Sequence, residues 1–377
     1  MLCFAAVLLL RAVVVESYFV PTGSMAPTIL GNHKEVTCPR CGYPVIVGRR
    51  DDKNDPTTAV CPNCGCADLD LEGVPECSGD RLLVDKTAFE LRRPRRWEPV
   101  VFHNPAEPAK IFVKRVVGMP GETVQLHEGD LYINGALVRK SPAECEGLRL
   151  PVFDNNYQPR PDGWRARWLM KDDKVTEEGV LPPPTGPPPV TLSPCHLVTL
   201  SSLEGTTLHL DAARPGEEQW LIYRNWSLEE NEEQPIQDSY GYNGTLSWKS
   251  EPVHDFLLEG DLEVLRGSGW AALGITDGFD HLVARMTVGP SGEGTVLTDS
   301  KGEARARSSF CLETGKSYHV ELAFVDRRAT LIVDGRSPFS PVDWPAVPER
   351  AEVSRPVRIG AAGVEMRVRN FRLDRDI

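Results

Sequence analysis

Short runs in which apolar and polar residues alternate dominate this chain, and long apolar stripes with a helical period are few. Alternation puts successive side chains on opposite faces of a strand, so the pattern predicts half-buried β-strands. Gly79 to Leu137 alternates in this way, with turn chemistry at Met119-Pro120-Gly121 and Asn134-Gly135, and predicts a compact β unit. From Asp255 to Leu373 the runs DFLLEGDLEV, HLVARMTV, YHVELAFVDRRATLIVDGR and VEMRVRNFRL predict successive strands separated by turn residues. Within them, Tyr318 to Arg336 reads as a hairpin turning at Asp326-Arg327-Arg328. The expected fold class is mainly β.

Between these regions the pattern breaks in informative ways. Met1 to Val15 is apolar apart from Arg11, yet shorter than the roughly 20 residues a spanning helix needs. It lacks the small-residue cleavage site of a secretory signal. Residues 1–15 read as a partial membrane anchor and the start of the first strand, Met1 to Leu10 being the outer end of the anchor and Ala12 to Val20 a strand leaving the membrane surface; the alternative is a buried N-terminal strand pair in a soluble protein. Leu181 to Val190 (LPPPTGPPPV) must be extended and stiff, because proline fixes φ and removes a donor, and it reads as a spacer. Ser227 to Gln234 (SLEENEEQ) reads as a solvated acidic loop. With 42 Lys plus Arg against 54 Asp plus Glu, the formal charge of -12 gives no field that would gather phosphates, and nucleic acid is excluded as a partner.

Four of the 10 cysteines form two tight pairs, Cys38-Pro39-Arg40-Cys41-Gly42 and Cys61-Pro62-Asn63-Cys64-Gly65. The spacing C-x₂-C-x₁₉-C-x₂-C is that of a zinc ribbon, with each glycine taking the left-handed turn of its knuckle. A structural zinc on Cys38, Cys41, Cys61 and Cys64 is expected, with disulfides, favoured in an oxidising compartment, or an empty, decayed site as the alternatives. Four thiolates close the coordination shell, so the ion holds residues 33–77 together and does no chemistry. Cys66 and Cys77 are less informative: Cys66 reads as a spare small residue, with competition with Cys64 as a ligand the alternative, and Cys3, Cys145, Cys195 and Cys311 read as buried or incidental. The eight histidines form no spaced cluster that reads as a metal or triad site.

Ser24 lies in Pro21-Thr22-Gly23-Ser24-Met25-Ala26-Pro27-Thr28, directly after the strand-like VVVESYFV. Gly23 lets a substrate backbone come close, and the prolines stiffen both sides. Such a serine is ordinarily a turn former. Lys114 changes the reading, because it sits in the apolar strand Ile111-Phe112-Val113-Lys114-Arg115-Val116-Val117, on one face with Phe112 and Val116. Those neighbours are expected to strip water from its ammonium and lower its pKa, leaving an amine able to take a proton from a serine hydroxyl. The alternative is a lysine that reaches solvent or pairs with a carboxylate. Arg115 faces the other way and is expected to be structural.

Three motifs carry a family resemblance. PTGSMAPTI resembles the nucleophile box of bacterial type I signal peptidases, Gly79-Asp80-Arg81-Leu82-Leu83-Val84-Asp85-Lys86 the strand that follows it, and Lys114-Arg115-Val116-Val117-Gly118-Met119-Pro120-Gly121-Glu122 the lysine box. The resemblance covers residues 1 to 140 apart from the cysteine insert, and extends to large planctomycete-type members with such insertions. It implies a Ser24/Lys114 dyad without histidine and without a catalytic cofactor. It also implies an oxyanion hole from the Thr22 hydroxyl and the Ser24 backbone N–H. Implied substrates are exported preproteins with small residues before the cleavage site, met at the cytoplasmic membrane with the catalytic part on its extracytoplasmic face and the lipid bilayer as a second partner. The family's later Gly-Asp-Asn box is not found from Arg139 to Ile377.

The expected organisation is an anchor over 1–15, a signal-peptidase-type antiparallel β core over 16–140 with the zinc-ribbon insert at 33–77, a Pro-rich connector over 141–195, and a β-sandwich over 196–377. The last resembles concanavalin-like or laminin-G-like jelly rolls by its strand pattern and the ATLIVDGR hairpin. The missing box favours a second reading: a catalytically impaired, signal-peptidase-like envelope protein whose sandwich holds a glycan or protein ligand. A self-cleaving repressor of the LexA type would use the same Ser/Lys chemistry, but the apolar start and the lack of a basic helix-turn-helix region argue against it.

Overall fold

The computed structural model describes residues 14–49, 57–67, 69–158, 167–171, 203–204, 206–214, 216–227, 230–239, 242, 251–289 and 292–376. Met1 to Val13 of the expected anchor, the proline spacer, Cys3 and Cys195 lie outside these residues. The chain divides into two compact units, one of Met1–Leu150, Gln237–Glu251 and Asp376–Ile377, the other of Pro151–Ile236 and Pro252–Arg375. Both are mainly β, built from antiparallel sheets.

In the first unit, Val15–Phe19 pairs with Arg81–Asp85, and Pro99–His103 with Ile111–Arg115. Val124–His127, Asp130–Ile133 and Ala136–Leu137 form a meander. Its tight turn is Asn134-Gly135, where φ is 51° and 78°. Two central residues with positive φ match the right-handed twist of the flanking strands, which is why Asn-Gly stands there. At Met119-Pro120-Gly121, Glu122 N donates to Met119 O at 3.1 Å, and Gly121 has φ 88°. Proline then glycine is the type II turn pair. The insert builds its own small sheet, with His33–Thr37 between Pro44–Gly48 and Glu76–Cys77. Thr58–Ala59 pairs with Leu69–Asp70 beyond it. A buried ion pair, Lys140 Nζ to Asp376 Oδ2 at 2.7 Å, fastens the last residues to this unit.

The second unit is organised by two long strands, Phe256–Thr276 and Val357–Arg375, which pair along most of their length. Their register slips between Gly267 and Trp270, where Gly267 has φ 104° and a Cβ would lie 2.3 Å from Gly363 O. Only glycine fits such a close backbone approach. On one side of the slip, Phe256 to Glu263 pairs with Ser317–Val325, which continues to Arg328–Val333 and Val342–Asp343. On the other, Trp270 to Thr276 pairs with His281–Thr287, then Thr295–Thr298 and Ala304–Ser308. The sheet thus presents two arms to a sandwich-like core in which Phe256, Leu258, Leu322, Phe324, Phe371 and Leu373 are buried. Burying each such side chain contributes about 1.5–3 kcal/mol.

The predicted hairpin turns at Asp326-Arg327, both with positive φ (49° and 59°), and Arg328 already belongs to the returning strand. Arg327 is buried: Nη1 reaches Asp277 at 2.5 Å, Nη2 reaches Asp280 at 2.6 Å, and Nε donates to Pro345 O at 2.9 Å. Two strands, Leu150–Asp154 and Trp168–Lys171, belong to the large sheet although they fall in the stretch read as a connector. The acidic run is not wholly a solvated loop. Trp226–Ser227 pairs with Glu232–Glu233, and Arg355 Nε and Nη2 hold the Glu233 carboxylate at 2.6 and 2.8 Å.

Candidate active site

The turn that carries Ser24 is pinned at both ends. Val20 N donates to Asp80 O at 3.0 Å, Asp80 N to Leu30 O at 2.9 Å, and Leu30 N to the Asp80 carboxylate at 2.7 Å. Asn32 N donates to Pro21 O at 3.0 Å and closes the loop at its neck. Inside it, Ala26 N bonds to Gly23 O at 3.0 Å, Ile29 N bonds to Met25 O at 2.9 Å, and the Ala26–Pro27 peptide is cis. Val20, Met25 and Ile29 turn inward as a small apolar cluster against which Leu82 and Val113 pack. Val113 therefore carries the strand Ile111–Arg115 against the loop, and its neighbour Lys114 comes with it.

Lys114 Nζ donates a hydrogen bond to Ser24 Oγ across 90 residues of sequence. Ser24 is exposed on its turn. Lys114 is exposed as a residue, with Nζ 6.0 Å from the centre of the Phe112 ring, so the shielding expected from Phe112 and Val116 is only partial. Burial still pushes its pKa below the ordinary lysine value, because a charged amine loses more hydration than a neutral one. Arg115 points elsewhere: it donates to Trp97 O at 3.0 Å, Thr28 Oγ1 at 2.8 Å and Gly147 O at 2.6 Å. It ties the lysine strand to the far side of the nucleophile loop. Thr22 is exposed two residues before Ser24, its backbone packed so closely on Gly31 that a Cβ there would lie 2.3 Å from the Thr22 carbonyl carbon.

One supporting residue has no signal in the sequence. Tyr242, buried, accepts a hydrogen bond from Gly31 N at 2.8 Å. Its ring fills space that glycines leave open, since a Cβ on Gly23 would come within 1.8 Å of it and one on Gly48 within 2.4 Å. Tyr242 lies 211 residues beyond Gly31 in sequence.

The four paired cysteines converge. Their sulfurs lie within 4.8 Å of one another, with Cys38 to Cys64 at 3.6 Å and Cys41 to Cys61 at 3.7 Å. A disulfide would bring sulfurs to about 2.05 Å, whereas a tetrahedron with Zn–S of about 2.3 Å has edges near 3.8 Å. The knuckles fold as expected: Gly42 N donates to Cys38 O at 2.9 Å and Gly65 N to Cys61 O at 2.8 Å, with φ of 80° and 73° at the glycines. Hydrogen bonds from Cys61 and Cys64 hold the Cys41 thiol low, and the same contacts push those two up. The donor set fits a metal ion that would neutralise the quartet.

Residues 75–168 match the family described as signal peptidase, peptidase S26. This segment is similar to the bacterial type I signal peptidases. The match includes Lys114 and begins after the cysteine pairs, leaving Ser24 on the other side of the insert. Among relatives, a probable signal peptidase I-2 of Synechocystis sp. is 40% identical over 88 residues, 21% of this chain and 40% of that protein. The signal peptidase I of Leptolyngbya laminosa is 45% identical over 91 residues, 22% of this chain and 37% of that protein. The chain thus spans about two fifths of the length of these signal peptidases. Part of the chain also overlaps a carbohydrate-binding module from Bacillus subtilis, at 12% identity and a TM-score of 0.27, covering 42% of this chain and 81% of that one. That likeness is too slight to bear on function. Among the described residues no helix is long and apolar enough to cross a membrane.

Proposed function

We propose that this chain is a serine endopeptidase of the signal peptidase type, acting on exported preproteins at the extracytoplasmic face of the cytoplasmic membrane. The observation that carries the reading is the hydrogen bond between Lys114 Nζ and Ser24 Oγ. An ammonium donates in that contact; once deprotonated, the amine accepts the serine proton through the same contact, and the lowered pKa favours that form. The proton moves from Oγ to Nζ as Oγ forms a bond to the scissile carbonyl carbon. The Thr22 hydroxyl and the Ser24 N–H stabilise the oxyanion, a contribution worth a factor of about 10²–10³ per donor. The new ammonium returns its proton to the leaving amine, and water activated by the same amine then cleaves the acyl ester and restores Ser24. A structural zinc held by Cys38, Cys41, Cys61 and Cys64 keeps the insert folded and takes no part in these steps.

The test is cleavage, in detergent, of a fluorogenic peptide carrying an Ala-x-Ala site. Turnover by the unsubstituted chain, abolished by both Ser24→Ala and Lys114→Met, is the expected result. Turnover that survives Lys114→Met would remove the lysine from the mechanism. A folded chain without turnover would favour the impaired, ligand-binding envelope protein instead.

A further inference from the structure

We propose that His33, Glu35 and Cys77 form a second metal site, separate from the four-cysteine cluster, that takes a divalent cation of borderline softness such as Zn²⁺. No sequence spacing announces it, because Cys77 is 44 residues from His33. Strand pairing makes the site. His33 stands directly across from Cys77 where His33–Thr37 meets Glu76–Cys77. Glu35 lies two residues along the same strand and so on the same face as His33. One donor atom from each of the three lies within 4.8 Å of the others.

The histidine ring gives the stronger argument. His33 is 5% exposed, and its Nδ1 lies 2.8 Å from Gly31 O. A carbonyl oxygen only accepts, so Nδ1 carries a proton and, in the neutral imidazole, the lone pair is on Nε2. That lone pair faces Glu35 Oε1 at 3.3 Å. Two acceptors turned toward each other need a positive centre. A proton on Nε2 would answer the pair but leave the free thiol of Cys77 outside the arrangement. A metal ion uses all three donors, and the Nδ1–H···O=C bond is the kind of outer contact that orients a ligating histidine.

The chemistry of the set selects the ion. One imidazole, one thiolate and one carboxylate suit zinc, cobalt(II) or iron(II), whereas magnesium and calcium call for oxygen donors. Three protein ligands leave a fourth tetrahedral position for water. The site also reaches the nucleophile turn, because Gly31, which accepts from His33, donates to Tyr242, and Asn32 N holds Pro21 O. An ion here braces the neck of the Ser24 loop from outside it.

The full chain, loaded with zinc under a thiol reductant and dialysed, should hold two zinc ions per chain by elemental analysis. Cys77→Ser and His33→Gln should each hold one. Cobalt substitution serves as the check on folding, since the four-thiolate site gives an intense charge-transfer band that both variants must retain. One ion in the unsubstituted chain, or two in both variants, would overturn the proposal. Should either variant lose the cobalt band, Glu35→Gln at its exposed position decides: the proposal stands if the second ion binds at least tenfold more weakly, and falls if binding is unchanged.

Discussion

Tyr242→Phe isolates one hydrogen bond at the back of the nucleophile loop. The substitution keeps the ring that fills the space beside Gly23 and Gly48 and removes the oxygen that accepts from Gly31 N at 2.8 Å. Tyr242 is 1% exposed, so water cannot readily take the place of the lost acceptor. A buried N–H left without a partner costs about 1–3 kcal/mol. That cost falls on the closed form of the loop and is relieved when the loop opens, so local opening should become roughly 5- to 150-fold more frequent, one factor of ten for each 1.4 kcal/mol. Hydrogen exchange followed by mass spectrometry reads this directly on a peptide spanning Met25 to Lys34. Faster exchange confined to that peptide, with the sandwich unchanged, is the expected outcome, together with a fall in kcat for the signal-site peptide. Exchange in the variant within twofold of the unsubstituted chain would refute the claim that Tyr242 secures the loop.

Three further predictions rest on separate parts of the molecule. Because burial lowers the Lys114 pKa below the ordinary value of 10.5, the fraction of neutral base grows with pH, and log kcat/KM should rise to a plateau whose midpoint lies below 10.5; a midpoint at or above it would place the base in unshielded water. The sign for stability agrees: a depressed lysine pKa disfavours the fold while the group is charged, and this penalty is relieved as pH climbs from the folded value toward 10.5. Chelation of metal from the reduced chain should open residues 33–77 to protease while the sandwich core stays protected, and added zinc should restore resistance, as seen by limited proteolysis. Arg327→Leu leaves Asp277 and Asp280 facing each other without their guanidinium, and breaking such a buried pair costs about 3–5 kcal/mol, to be read as a lower urea midpoint for the second unit.

The parts of this protein that could be read from sequence are those whose physics is local. Two-residue alternation gave the strands around Phe256 and Ser317, and Asn134-Gly135 gave its turn because few other pairs accept positive φ twice. The C-P-x-C-G knuckles were legible for the same reason, since each is a tight turn of a few residues, closed by Gly42 N to Cys38 O and Gly65 N to Cys61 O. Lys114 was legible as an anomaly, a charge in an apolar strand. Its surroundings were read less well, because period alone put Phe112 on its face without saying how far the ring would cover it. The strands Leu150–Asp154 and Trp168–Lys171 are not legible in the sequence because pairing with distant segments, Val357–Arg375 for the first and Glu218–Tyr223 for the second, makes them strands, and propensity does not.

What sequence spacing could not reveal is anything assembled by pairing between distant segments. His33 and Cys77 are partners only because two short strands run antiparallel, and Tyr242 reaches Gly31 only because residues 237–251 belong to the first unit and not to the sandwich that flanks them in sequence. That last point bears on how the proposed nucleophile, Ser24, is held. The bonds from Asp80 fix the ends of the loop, the cluster of Val20, Met25 and Ile29 fixes its underside, and Tyr242 fixes its back, so three segments far apart in the chain agree on one position for Ser24. A serine without that agreement would spend its time in many orientations, and the contact with Lys114 would be one of them. Catalysis by proximity needs the single orientation, since a reacting group held within hydrogen-bond reach of its base avoids the entropy of finding it.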